Sequence, residues 1–196
     1  MRRIALIGAL CAVALFVAGC AAPQSHFFTL SRGAAPATPP TPANLSVVVG
    51  PVSIPAIVDL PQIVVNTGPN QVKLDEFNRW ASPLQNNISR VVAENLVVLL
   101  GTPRVSLFQQ SLNADADYRV AIEVQTFESA PGDAATLNAV WIVRNTKDGK
   151  SQTGRTTVRE PSPSSTYDEL AAAHSRALAR MSQDIADAIR GLDRAR

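Results

Sequence analysis

Tyr118-Arg119-Val120-Ala121-Ile122-Glu123-Val124-Gln125 changes polarity at almost every step. Tyr118, Val120, Ile122 and Val124 fall on one side of an extended chain, and Arg119, Ala121, Glu123 and Gln125 fall on the other. That period of two describes an antiparallel strand with one face buried. Working toward the C-terminus, Leu137, Ala139, Trp141 and Val143 form a second alternating face. Asp148-Gly149 then turns the chain into Gln152 to Val158, a strongly polar strand suited to a sheet edge. Last comes a helix predicted from about Tyr167 to Ile189. Thr166 and Glu169 have capping-box spacing, and Leu170, Ala177, Leu178, Met181, Ile185, Ile189 and Leu192 supply its apolar stripe.

Working back from Tyr118, Val105 to Phe108 is a short strand candidate, preceded by Gly101 as a helix stop. The helix before it is punctuated by Ser82 as cap, Pro83 at the first position and Gln85 at capping-box spacing. Its stripe is Leu84, Ile88, Val91, Val92, Leu96 and Leu99. Gln62 to Val65 and Gln71 to Leu74 flank Thr67-Gly68-Pro69-Asn70 and read as a hairpin. Ser46 to Val52 reads as a buried strand bounded by Pro51 and Pro55. Two helices and a largely antiparallel sheet, each with one apolar face, predict a two-layer α+β domain over residues 45–192.

Upstream, Gly33 to Asn44 carries Pro36, Pro39, Pro40 and Pro42 and reads as an extended tether or surface loop. The apolar island His26-Phe27-Phe28-Thr29-Leu30 reads as a short edge strand docked on the domain, the alternative being a chance greasy stretch near the membrane. The chain opens with Arg2 and Arg3, an uncharged run from Ile4 to Phe16, and small residues before a cysteine. That is a secretory signal over residues 1–19, too short to span a bilayer comfortably. Val17-Ala18-Gly19-Cys20 resembles the bacterial lipobox. The resemblance implies cleavage between Gly19 and Cys20, a diacylglycerol on the thiol, and an N-acyl chain on the new amino end; the plainer alternative is a soluble export signal with a chance cysteine. Residues 20–44 would then be the lipidated N-terminus, the apolar island and the Pro-rich linker. Ala21 follows the cysteine where an aspartate would resemble the inner-membrane retention signal, which implies the outer membrane of a Gram-negative cell.

Cleavage leaves 177 of the 196 residues, enough for one core. Of 18 basic and 16 acidic side chains, Arg2 and Arg3 leave with the leader, giving sixteen of each. No net positive field remains to gather phosphates, which argues against nucleic acid. Cys11 leaves too, and Cys20 is committed to lipid, so neither a disulfide nor a zinc site is expected.

Five segments in register resemble the ABC-transport auxiliary lipoproteins of the PqiC type. They are Gly50-Pro51-Val52-Ser53-Ile54-Pro55, Asp59-Leu60-Pro61-Gln62-Ile63-Val64, Glu76-Phe77-Asn78-Arg79-Trp80-Ala81-Ser82-Pro83-Leu84, Leu137-x-Ala139-x-Trp141, and Ser175-x-Ala177-Leu178-Ala179-x-Met181-Ser182. Phe27-Phe28-Thr29-Leu30 departs mildly from the family's Tyr-Tyr-x-Leu. The resemblance implies an outer-membrane lipoprotein facing the periplasm and working with a membrane-spanning MCE-domain protein. It also implies a homo-oligomeric ring in some members, and movement of lipids or other hydrophobic molecules between membranes. A free-standing lipoprotein that carries one lipid in its own pocket is the alternative.

Phe77, Arg79 and Trp80 are the candidate contact with a partner or a second subunit, since Trp and Arg recur at interface hot spots. The plainer reading makes Trp80 core, pairs Arg79 with Glu76, and leaves Asp75 and Glu76 as acids ahead of a helix. Asp59, Pro61 and Gln62 read as a fixed turn, Trp141 as sheet packing, and Asp115 and Asp117 as solvated loop acids. His26 and His174 are too far apart to suggest a metal site, and His174 lies on the inward stripe of the last helix. No nucleophile elbow, phosphate loop or dinucleotide fingerprint is present, so neither catalysis nor a cofactor is expected.

Overall fold

The computed structural model describes residues 23–34, 44–108 and 115–194. The alternating segments form a meander of β6 (Tyr118–Ala130), β7 (Ala134–Asn145) and β8 (Ser151–Pro161), antiparallel throughout. β2 (Val47–Ser53) lies parallel to β6 on one side and to β5 (Val105–Leu107) on the other, giving the order β5-β2-β6-β7-β8. A second sheet has the order β1-β4-β3, from β1 (His26–Phe28), β3 (Gln62–Gly68) and β4 (Gln71–Trp80). The fold is α+β as expected, but its strands divide into two mixed sheets. The parallel pairs arise because β2 is joined to its neighbours through the small sheet and a helix, long crossovers that antiparallel pairs do not need.

Helices α1 (Leu84–Leu100) and α2 (Tyr167–Arg194) cover one face of the larger sheet. Val47, Val49, Tyr118, Val120, Leu137, Ala139 and Val143 meet Ile88, Val91, Val92, Leu96, Leu178, Met181 and Ile185 there, all essentially fully buried. α1 stops where Gly101 enters the left-handed region at φ 63°. At the sheet's edge Trp141 lies opposite Gly154 and donates Nε1–H to Thr156 Oγ1 at 3.1 Å. A Cβ at position 154 would stand 2.2 Å from the indole, so glycine is the residue that admits the ring.

The expected capping box at α1 does not form. Pro83 occupies the cap position with no side-chain cap bond, and Gln85 instead donates to the Val52 carbonyl. At α2 half of the box forms. The Glu169 amide donates to Thr166 Oγ1 at 3.4 Å, while the Glu169 carboxylate pairs with Arg176 at 3.0 Å. Asp117 is no solvated loop acid. It accepts from the Ser46 amide (2.8 Å) and hydroxyl (2.9 Å) and pairs with Lys147, tying the start of β2 to that of β6. Burial would raise its pKa, but these bonds outweigh it and hold the carboxyl down to about 2.

The folded body begins well before Leu45. Leu30 is 1% exposed in the core, and the chain on either side of it is tied across both helices. Thr29 Oγ1 donates to Asn87 Oδ1 (3.1 Å), Arg90 donates to the Leu30 carbonyl (2.6 Å), the Ser31 amide to Ser175 Oγ (3.0 Å), and the Gly33 amide to Asn95 Oδ1 (2.9 Å). Asn44, past the prolines, is again attached, accepting from Arg104 at 2.8 Å. The Pro-rich stretch is therefore bounded by two docked ends and does not separate residues 26–33 from the domain; residues 35–43 lie outside the described residues.

Candidate docking surface

Val72 and Leu74 continue the hairpin that begins at Gln62, and the strand does not stop there. β4 runs on to Trp80 through a wide bulge, with Ile63 opposite Asp75 but Gln62 opposite Arg79. Asp75 organises the bulge. Its Oδ1 accepts from the Phe77 amide (3.0 Å), the Asn78 amide (2.9 Å) and Asn78 Nδ2 (2.9 Å), while Oδ2 accepts from the Tyr167 hydroxyl at 2.7 Å. Burial opposes ionisation, but the four bonds prevail and the carboxyl is held below its ordinary range. Burial and the same bond raise the Tyr167 pKa. Asp75 thus shapes a strand bulge; it is not an acid waiting ahead of a helix.

The alternation of side chains along β4 separates the three residues expected to act together. Phe77 is 43% exposed. Arg79 is partly exposed, with Nε donating to the Glu76 carbonyl at 2.9 Å and its guanidinium 3.9 Å from the Glu76 carboxylate. Trp80 is not part of an exposed patch. Its amide is fixed to the Pro61 carbonyl (2.8 Å), and its ring is buried beside Phe127 (6.3 Å) and His174 (6.5 Å). β1 completes the edge. Phe28, opposite Trp80, turns inward to within 5.7 Å of the Tyr167 ring, while Phe27, opposite Arg79, turns out.

Sequence reasoning missed Phe27, Val72 and Leu74 as surface. On the adjacent 3-10 turn Ala56–Val58, Ile57 is exposed as well. Ile57, Val64, Val72 and Phe127 line a shallow groove of about 140 Å³. Gln71 to Leu74 reads in the sequence only as one arm of a hairpin, and all four of its residues prove exposed, so the alternation of Val72 and Leu74 does not by itself say that their face is open.

His174 is fully buried and stacks flat on Phe127 at 3.8 Å, with Nε2 2.8 Å from Ser129 Oγ. Burial lowers its pKa to about 3, so the imidazole is neutral. Among the described residues no group of three or more His, Cys, Asp or Glu could hold a metal, and no helix is long and apolar enough to cross a membrane. Gly19 and Cys20 lie outside the described residues. The arrangement suits contact through exposed apolar side chains on the small sheet.

Among curated proteins none matches this chain. Among solved structures, an uncharacterised protein matches with a TM-score of 0.69 at 20% identity, over 85% of this chain and 99% of its own. Protein XCC0632 from Xanthomonas campestris matches with a TM-score of 0.68 at 23% identity, over 88% and 99%. At these identities the likeness is one of fold. Residues 28–186 match the profile described as ABC-type transport auxiliary lipoprotein component, a span running from the docked β1 through most of α2. The chain belongs to the ABC-type transport auxiliary lipoprotein family.

Proposed function

We propose that this chain is a non-catalytic subunit of an MCE-type intermembrane transport system, held at the outer membrane by lipid on Cys20 and facing the periplasm. It docks to the periplasm-spanning MCE-domain protein, as a monomer or a ring, and supports passage of lipid or other hydrophobic cargo. The family match over residues 28–186 is the observation that carries this reading. Lipobox-like Val17-Ala18-Gly19-Cys20 supports attachment through acyl chains, because several chains anchor stably where one is marginal. The outer face of the larger sheet supports protein docking. Arg119, Glu123, Ile142, Arg144 and Arg155 stand exposed on it, opposite the helices.

Cross-linking and co-purification from native membranes, against the MCE-domain product of the same operon, test the assignment. Recovery of the MCE protein is expected, and persistent absence of contact refutes it. Native mass spectrometry showing one lipid per monomer, with no partner, would replace it with a free-standing carrier.

A further inference from the structure

β1 fixes where an anchored N-terminus arrives. It runs parallel to β4 with His26 opposite Asn78, so the chain preceding His26 approaches from the Phe77 side of β4. Six residue steps separate Cys20 from His26, at most about 20 Å of extended chain. The proline-rich segment adds nothing to that reach, because it follows the strap through Leu30 and Gly33.

Seven large apolar side chains are exposed among the described residues, and five of them gather at this edge. They are Phe27 (64%), Ile57 (55%), Phe77 (43%), Leu74 (41%) and Val72 (40%), all on the small sheet or the turn packed on it. Single exposed apolar residues need no explanation, but such a gathering marks a contact surface. Its charged neighbours fit a lipid surface. Arg79 carries a long stem that can bring its charge to headgroup level and is paired with Glu76, while Lys73 is drawn toward Asp75 at 4.0 Å and Asp75 is turned inward onto Tyr167.

We propose that Phe27, Ile57, Val72, Leu74 and Phe77 rest in the headgroup and upper acyl region of the membrane that holds the lipid of Cys20. The small sheet is then the membrane-facing side of the domain, and its exposed aromatic bulge serves the bilayer instead of a protein partner. The inference rests on the reading of Cys20 as lipidated. A bilayer occupies the patch in preference to another protein because the short chain from Cys20 keeps the bilayer within reach of this edge.

The test uses the full lipoprotein purified from native membranes, carrying V72C, F77C or D187C. Cys11 leaves with the leader and the Cys20 sulfur is blocked by its thioether, so the introduced thiol alone takes a fluorophore. In vesicles of phosphatidylethanolamine and phosphatidylglycerol containing a spin-labelled lipid, labels at 72 and 77 should be quenched several-fold more than one at 187. Position 187 lies about 30 Å along α2 from Tyr167. Equal quenching at all three positions overturns the proposal. So does a protein adduct, a second copy included, from a photo-cross-linker at position 77 in native envelopes. Intact mass separates the two levels of failure. A free thiol at Cys20 removes the anchored reading and this proposal with it, whereas a modified Cys20 with an unquenched label at 77 removes only the membrane seating.

Discussion

Acid should weaken this protein in two stages, and the first belongs to His174. The imidazole is stacked on Phe127, edged by Trp80, and fully buried. Its Nε2 faces Ser129, while Nδ1 is buried without a partner. A proton on Nδ1 would be a charge with no acceptor, which is why burial lowers the pKa from 6.5 to about 3. The folded value lies below the unfolded one, so between them the unfolded chain binds more protons. The stabilising contribution is complete above about pH 6.5 and is lost as pH falls toward 3. The slope approaches ~1.4 kcal/mol per pH unit, so moving from pH 7 to pH 5 should cost about 2 kcal/mol. With a urea m-value near 2 kcal/mol per molar, the midpoint should drop by about 1 M. Tryptophan fluorescence follows the transition, with Trp80 beside the imidazole as a reporter. The control is His174→Leu combined with Ser129→Ala, which removes the titrating group without orphaning the serine hydroxyl; its midpoint should stay flat over the same interval. A wild-type midpoint that does not move, or a fall that persists in the double variant, would refute the reasoning.

Asp117 governs the second stage. Its depressed pKa means that its contribution is present above about pH 4 and lost toward pH 2, and Asp117→Ala should cost about 2 kcal/mol by leaving the Ser46 amide without its charged acceptor; urea titration at pH 7 reads it. Gly154→Ala should destabilise by about 3 kcal/mol through collision with the Trp141 ring, and adding Trp141→Leu should recover part of the loss in thermal melting. Trp80→Ala should cost about 4 kcal/mol, while Arg79→Ala, on a partly exposed side chain with a 3.9 Å ion pair, should stay within about 0.5 kcal/mol. Equal losses for those two would contradict the inward placement of the tryptophan.

The meander and both helices were legible because each element obeys one period: two for Tyr118 to Val124, near 3.6 for Leu84 to Leu99. What escaped depends on partners distant in sequence. Nothing near Pro83 announces that Gln85 will reach the Val52 carbonyl and leave Ser82 idle. Asp75 looked like a helix-start acid because the helix is close in sequence, yet its hydroxyl donor, Tyr167, comes from the far helix. Asp117 shows the same blindness, since Ser46 lies 71 residues away. The parallel pairings of β2 are likewise invisible to periodicity, which reports faces and not neighbours. At the docking surface the sequence offered Phe77, Arg79 and Trp80 as one group. The ordinary pleat of the strand sends Arg79 and Trp80 to opposite faces, so the tryptophan turns inward while Phe77 and Arg79 stay at the surface.

The strap from His26 to Gly33 has a mechanical consequence. It joins the small sheet through β1, clips to α1 at Asn87, Arg90 and Asn95, and clips to α2 at Ser175. A pull on the N-terminus would therefore load three elements in shear instead of slackening a leash. Under the lipid attachment proposed at Cys20, sideways drift of the bilayer would carry the whole body along, with tilt limited by the grip of the helices on one short peptide.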